Sequence, residues 1–186
     1  TIDFGTGCLG KDGRTRKGKI ITVYTGHMIL AGSVAETSFD NYYVNEIKVE
    51  GTHRVENKST PGAFTFETKV LNGKLTRLNG DFVNWNRTRT ITQVEGSTTP
   101  MNPLDDAYSI VGIGSGIVQR GDKTATWTTT NIEPLIKRFD CRWITKGKQA
   151  IQRNDGPQGI LDFGNGNCDN KATITVNGVS IEITLK

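Results

Sequence analysis

The stretch ATITVNGVSIEITL, residues 172–185, decides the fold. Asn177-Gly178 is the dipeptide favoured in the type I′ turn, whose two central residues both take positive φ. A two-residue turn there pairs Val176 with Val179, Ile174 with Ile181 and Ala172 with Ile183. One face of the hairpin becomes apolar throughout. A slip of one residue would carry that whole set to the other face, so the pattern specifies the register.

Working outward, the same alternation recurs. Over 47–55, Ile47, Val49 and Val55 share a face with Gly51 and His53, and Lys48, Glu50, Thr52 and Arg54 take the other. Phe64, Phe66 and Val70 alternate likewise against Thr65, Glu67 and Lys69. Asn72-Gly73 predicts a second hairpin, joining 64–71 to 74–78, and Gly121-Asp122 a third, joining 108–118 to 124–130. Further strands are expected over 19–25, 34–44, 82–92, 139–151 and 160–163. Good helix formers never accumulate into an amphipathic period. A polar connector, 96–106, carries Pro100 and Pro103 and divides the chain into possible related halves, 1–95 and 107–186. The expectation is a single all-β domain over 1–186. It would be an antiparallel meander forming a sandwich or open barrel, with little or no helix. Phe64, Phe66, Phe139, Trp143, Ile174, Val176, Ile181 and Ile183 are its expected core.

An internal repeat stands out. Ile2-Asp-Phe-Gly-Thr-Gly-Cys8 returns as Leu161-Asp-Phe-Gly-Asn-Gly-Asn-Cys168, and both copies lead through polar residues into an apolar strand. The physical sense is a strand that ends in a glycine bend. In the second copy a preceding strand carries Cys141. If Ile151 faces Ile160 across the 154–159 turn, Cys141 lies opposite about Asn170, and a small bulge brings Cys168 there instead. A cross-strand Cys141–Cys168 bond follows, the alternative being three buried thiols in a reducing compartment. The first copy has no such partner, so Cys8 is the odd cysteine. Its mate is expected on a strand before Thr1, absent from this chain, which would lie against Ile2, Asp3, Phe4 and Gly5.

The runs TIDFGTGC (1–8), KGKII (17–21), VEGTH (49–53), FDCRW (139–143), LDFG (161–164) and GNCDNKA (166–172) together resemble a group of uncharacterised surface lipoproteins of Bacteroidota. The likeness spans nearly the whole chain. It implies an extracellular or outer-membrane location and carries no established activity to any residue. Asn57-Lys-Ser59 and Asn86-Arg-Thr88 match the N-glycosylation pattern, which has little meaning in a bacterial protein.

Charge and motifs narrow the function classes. Lys and Arg number 23 against 19 Asp and Glu, a mild excess of +4 spread along the chain. The densest basic cluster, Arg14, Arg16, Lys17 and Lys19, has no interleaved aromatics and reads as a solvated loop, not a nucleic-acid surface. No apolar run approaches the ~20 residues of a membrane helix, and no signal peptide opens the chain, which suits a mature or trimmed polypeptide. His27 and His53 lack ligand-spaced partners, so no metal is expected. His53, on the apolar face, reads as a core histidine. Ser115 in Gly112-Ile-Gly-Ser-Gly116 has the wrong flanks for a nucleophile elbow, and its glycines suit a thin strand closely approached by another. Asp105, Asp106 and Asp169 have no calcium-loop spacing. Trp85, Trp127 and Trp143 could stack on a glycan but more often fill cores. A glycosidase needs only two carboxylates placed by the fold, so the sequence leaves one open. The expectation is no enzyme, no catalytic residue and no cofactor. The chain reads as a surface structural or interaction protein, a filament or pilus-like subunit completed by a strand from another copy or by a cleaved N-terminal segment. The rival is a monomeric surface domain binding glycan or protein.

Overall fold

The computed structural model describes residues 1–99 and 101–185, so Pro100 of the connector lies outside it. Its strands are β1 (Ile2–Asp3), β2 (Cys8–Leu9), β3 (Thr15–Tyr24), β4 (Val34–Val44), β5 (Ile47–Asn57), β6 (Thr65–Thr76), β7 (Phe82–Glu95), β8 (Ala107–Arg120), β9 (Lys123–Arg138), β10 (Ile144–Arg153), β11 (Gly159–Asn165), β12 (Lys171–Val176) and β13 (Val179–Thr184). One 3-10 turn, Pro103–Asp105, is the only helical element among the described residues. Each strand from β3 onward pairs with the next in sequence, β1 and β2 both lie on β3, and β1 and β13 end the path. The protein is therefore an all-β antiparallel meander, in which β1 and β13 are not paired with each other among the described residues.

The β12–β13 hairpin has the register read from residues 172–185, with Val176↔Val179, Ile174↔Ile181 and Ala172↔Ile183. Asn177 and Gly178 hold φ 48 and 79, the two positive values that the type I′ turn requires. A turn at Gly121-Asp122 likewise joins β8 to β9.

Asn72-Gly73 does not turn the chain. β6 runs straight through it. Asn72 alone takes a positive φ, 50, so the pair lacks the second positive value of a type I′ turn. Asn72 N–H instead donates to Asn86 Oδ1 (2.8 Å). A Cβ on Gly73 would come within 2.7 Å of the Trp85 ring, so the missing side chain is what lets that indole pack on β6. The hairpin comes later, at Gly80, where Arg77 N–H donates to Asp81 O and Gly80 N–H to Arg77 O.

The chain gathers into two compact units. The first comprises residues 1–57, 68–87 and 115–126. In it Tyr42 is buried, with the rings of Phe4 and Phe39 at 5.7 and 5.6 Å. Asn57 is buried as well, and its amide donates to Met28 O (2.8 Å), pinning the β3–β4 loop. The second unit comprises 58–67, 88–114 and 127–186. Its buried side chains include Ala107, Leu135, Cys141, Thr145, Ala150 and Ala172. Gly112 meets β7 closely, since a Cβ there would fall 2.3 Å from Thr88 O, as its place in a thin strand predicts.

The expected core needs correction. Phe64, Phe139 and Ile181 are 50%, 55% and 60% exposed, and Phe66, Trp143, Ile174, Val176 and Ile183 are half-buried. Phe64 immediately precedes β6, with its carbonyl accepting from Gln93 N–H of β7 (2.9 Å). Residues 139–143 form a turn, with Phe139 N–H bonded to Asp106 O and Cys141 N–H to Arg138 O, and β10 begins only at Ile144. Ile181 sits on β13, which among the described residues has a neighbour on one side only. His53 is exposed rather than a core residue.

Candidate functional site

The two copies of the glycine bend share an aspartate cap and two glycines of positive φ. In β1 the register is Ile2↔Ile20 and Asp3↔Lys19 on β3. In β11 it is Leu161↔Ile174 and Asp162↔Thr173 on β12. Each aspartate then caps its own turn: Gly5 N–H donates to Asp3 Oδ1 (2.8 Å) and Gly164 N–H to Asp162 Oδ1 (2.9 Å). This Asx-type closure is local, needing only a short side-chain acceptor two residues before the donor. The glycines that follow hold φ 57 and 147 at Gly5 and Gly7, and 87 and 120 at Gly164 and Gly166. These are backbone conformations that side chains beyond glycine resist, so the sequence pattern Asp-Phe-Gly-x-Gly encodes the bend twice.

The first bend is anchored from below. Phe4 N–H donates to Gly18 O (2.9 Å), Gly18 N–H donates to Gly5 O (3.0 Å), and the Phe4 ring lies against Tyr42. The Gly5 N–H and the nearby Lys19 ammonium (3.2 Å) hold the Asp3 carboxyl below the usual carboxylate range, so it is an anion at neutral pH. Past the bend the chain returns to β3 as β2, with Cys8↔Arg16 and Leu9↔Thr15. Arg16 is in turn clamped by both oxygens of Asp12 (2.9 and 2.7 Å). Thus β1, the bend and Cys8 lie in succession along one edge of β3.

What differs is the other side of the two bends. β11 has β10 on its second edge, with Lys148↔Asp162 and Lys146↔Asn165. Gly166 N–H donates to Thr145 O (2.8 Å), and Lys148 Nζ stands 3.7 Å from Asp162 and 2.8 Å from Glu133. Beyond the bend Cys168 is bonded to Cys141, with Cα atoms 5.7 Å apart. The register is Ile151↔Gly159, one residue from the expected Ile151↔Ile160, and a bulge between Lys146 and Lys148 brings the cysteines together. β1 has no second neighbour among the described residues, and Cys8 is a free, exposed thiol. Phe4 N–H already faces β3, so strand alternation turns the Asp3 N–H and C=O toward the open edge.

Elsewhere the surface offers less. Trp85, Trp127 and Trp143 are half-buried, and the Arg142 guanidinium lies 4.9 Å over the Trp143 ring. A concavity of about 110 Å³ in the first unit is lined by Ile47, Leu75, Arg77, Phe82, Val118 and Arg120. Ser115 is exposed on β8. No cluster of three or more His, Cys, Asp or Glu side chains among the described residues could hold a metal ion. No helix among them is long and apolar enough to cross a membrane. Searches of family models, of curated proteins and of solved structures find nothing that matches this chain.

Proposed function

We propose that this is a structural or interaction domain of the extracellular space or outer-membrane surface, whose β1 edge is completed by a strand from another chain. One observation carries the reading. A bend with the same aspartate cap occurs twice, in one copy flanked on both edges with its cysteine bonded, in the other flanked on one edge among the described residues with its cysteine free. An edge with unpaired N–H and C=O groups is a template for strand addition, in which the main chain supplies affinity and side-chain positions supply specificity. The Cys141–Cys168 bond suits an oxidising compartment. Between identical copies such a contact is heterologous and propagates, giving a filament or pilus-like polymer. Electron microscopy and light scattering on the protein from its natural source test this. The expected result is polymers, or a co-purifying strand. A stable monomer with no retained peptide would refute it.

A further inference from the structure

We infer that the β3–β4 loop is a lipid-contacting tip, which inserts Ile29 and Leu30 into the headgroup–acyl boundary of a net-neutral bilayer surface. The inference concerns a different part of the molecule from the β1 edge and does not depend on it. Residues 20–35 form the longest stretch of the chain without Asp, Glu, Lys or Arg, 16 residues in all. The middle of that stretch is the connection from β3 to β4. There Ile29 is 81% exposed, and Val23, Tyr24 and Leu30 are each more than half exposed. Four large apolar side chains crowded into residues 23–30, in water and with no charge among them, mark an interaction surface.

The loop is tied down from within. Leu30 N–H donates to His27 O (2.9 Å) and Ser33 N–H to Leu30 O (3.1 Å). Thr25 N–H donates to Val34 O (3.0 Å) and Gly32 N–H to Asn57 O (2.7 Å). The amide of the buried Asn57 donates to Met28 O (2.8 Å). The carbonyls of His27, Met28 and Leu30 thus each have a donor inside the protein. A backbone polar group carried into lipid without a partner is costly, so a loop already paired in this way enters at lower cost than an open one. A protein groove makes no such demand, because it supplies partners of its own. Tyr24, at the end of β3, is the amphipathic ring that suits the headgroup level. Charge fixes the lipid class. The first charged side chains met on β4 and β5 are Glu36, opposite Val23, and Arg54 and Glu56, which pair with each other (2.7 Å). One cation against two anions offers no attraction to an anionic surface. The partner is therefore a neutral bilayer surface, held by burial of apolar area.

The test is flotation of the 186-residue chain with vesicles of phosphatidylcholine alone, at low and at high salt. Binding is expected at both, since apolar burial is not screened by ions. Ile29→Ser and Leu30→Ser should each weaken it by about tenfold, from the transfer energy of one buried aliphatic side chain. Both residues are exposed, so each variant should melt where the parent does. Leu78→Ser is the control: that side chain is 78% exposed in the β6–β7 turn, and its loss should leave binding unchanged. Insertion is read directly on Ile29→Cys in a Cys8→Ser background, labelled with an environment-sensitive dye whose emission should shift to the blue on vesicles. No binding of the parent chain to phosphatidylcholine would overturn the inference. So would binding that needs anionic lipid and vanishes at high salt, an equal loss from Leu78→Ser, or an unshifted dye. Self-association without lipid that Ile29→Ser abolishes would overturn it as well, making a second copy the occupant.

Discussion

The Cys141–Cys168 bond closes a loop of 27 residues, and its removal is the most informative perturbation of the second unit. In the chain-entropy model a crosslink removes about 2.1 + 1.5R ln n cal/mol/K from the unfolded chain, which for this loop is about 3.5 kcal/mol at 25 °C. Cys141 is buried, so the pair is best replaced by Ala at both positions, which leaves no unsatisfied hydroxyl. At about 2–4 °C per kcal/mol for a chain of this size, the melting temperature should fall by roughly 7–14 °C. Calorimetry gives the shift, and urea titration gives the free energy independently. Because Cys168 lies beyond the β11 bend, outside any strand, the folded ladder should persist and the loss should arise in the unfolded chain. Hydrogen exchange of β10 and β11 in the folded double variant should therefore match that of the parent at low denaturant. A loss below about 1 kcal/mol, or selective opening of β10, would refute the entropic account.

Three other outcomes are expected. Leu135→Ala, at a side chain only 4% exposed, should cost about 2–5 kcal/mol in urea denaturation, while Phe139→Ala, in an exposed turn, should cost less than about 1 kcal/mol. Gly112→Ala forces a methyl toward Thr88 O and should cost about 1–3 kcal/mol, whereas Ser115→Ala, exposed on the same strand, should stay within about 0.5 kcal/mol. Asp3, Asp12 and Asp81 all titrate below their ordinary 3.8, through the Gly5 N–H, Arg16 and the Gly121 N–H respectively. Their contribution is therefore complete above about pH 5 and is lost as pH falls through the folded values. Thermal melts from pH 7 to pH 2 should decline below pH 4, and a triple Asn variant should flatten that decline.

Much of the meander was legible because its rules are local. The β12–β13 hairpin follows from one dipeptide and an alternating pattern, and the strand 34–44 was bounded to the residue by its flanking turns. The paired bends were legible because Asp-Phe-Gly-x-Gly fixes φ and the cap within a few residues. What failed was non-local. Asn72-Gly73 carries a hairpin dipeptide, yet Asn86 and Trp85, on the following strand, hold it as an irregularity within β6. Nothing within five residues of Asn72 announces those partners. The available signal for the packing role of Gly73 is a glycine beside a tryptophan-bearing strand. Phe64, Phe139 and Ile181 are exposed against expectation because alternation tells which side a residue takes, not whether anything covers that side. The Cys141–Cys168 pairing survived a register error of one residue because a bulge absorbed the difference.

The order of the sheet also bears on how the chain acquires its single bond. Each strand from β3 onward adds beside its predecessor in sequence, so the sheet can grow from the N-terminus as synthesis proceeds. Under that schedule Cys8 and Cys141 are both available before Cys168 has emerged. A crosslink made too early would therefore join the wrong pair, across a far longer loop, and would have to be reshuffled. The β10–β11 hairpin opposes this by bringing Cys168 to Cys141 as soon as both strands exist. Its short turn at 154–158 thus sets the moment at which oxidation becomes productive, and an oxidant acting before that moment favours misfolded chains over native ones.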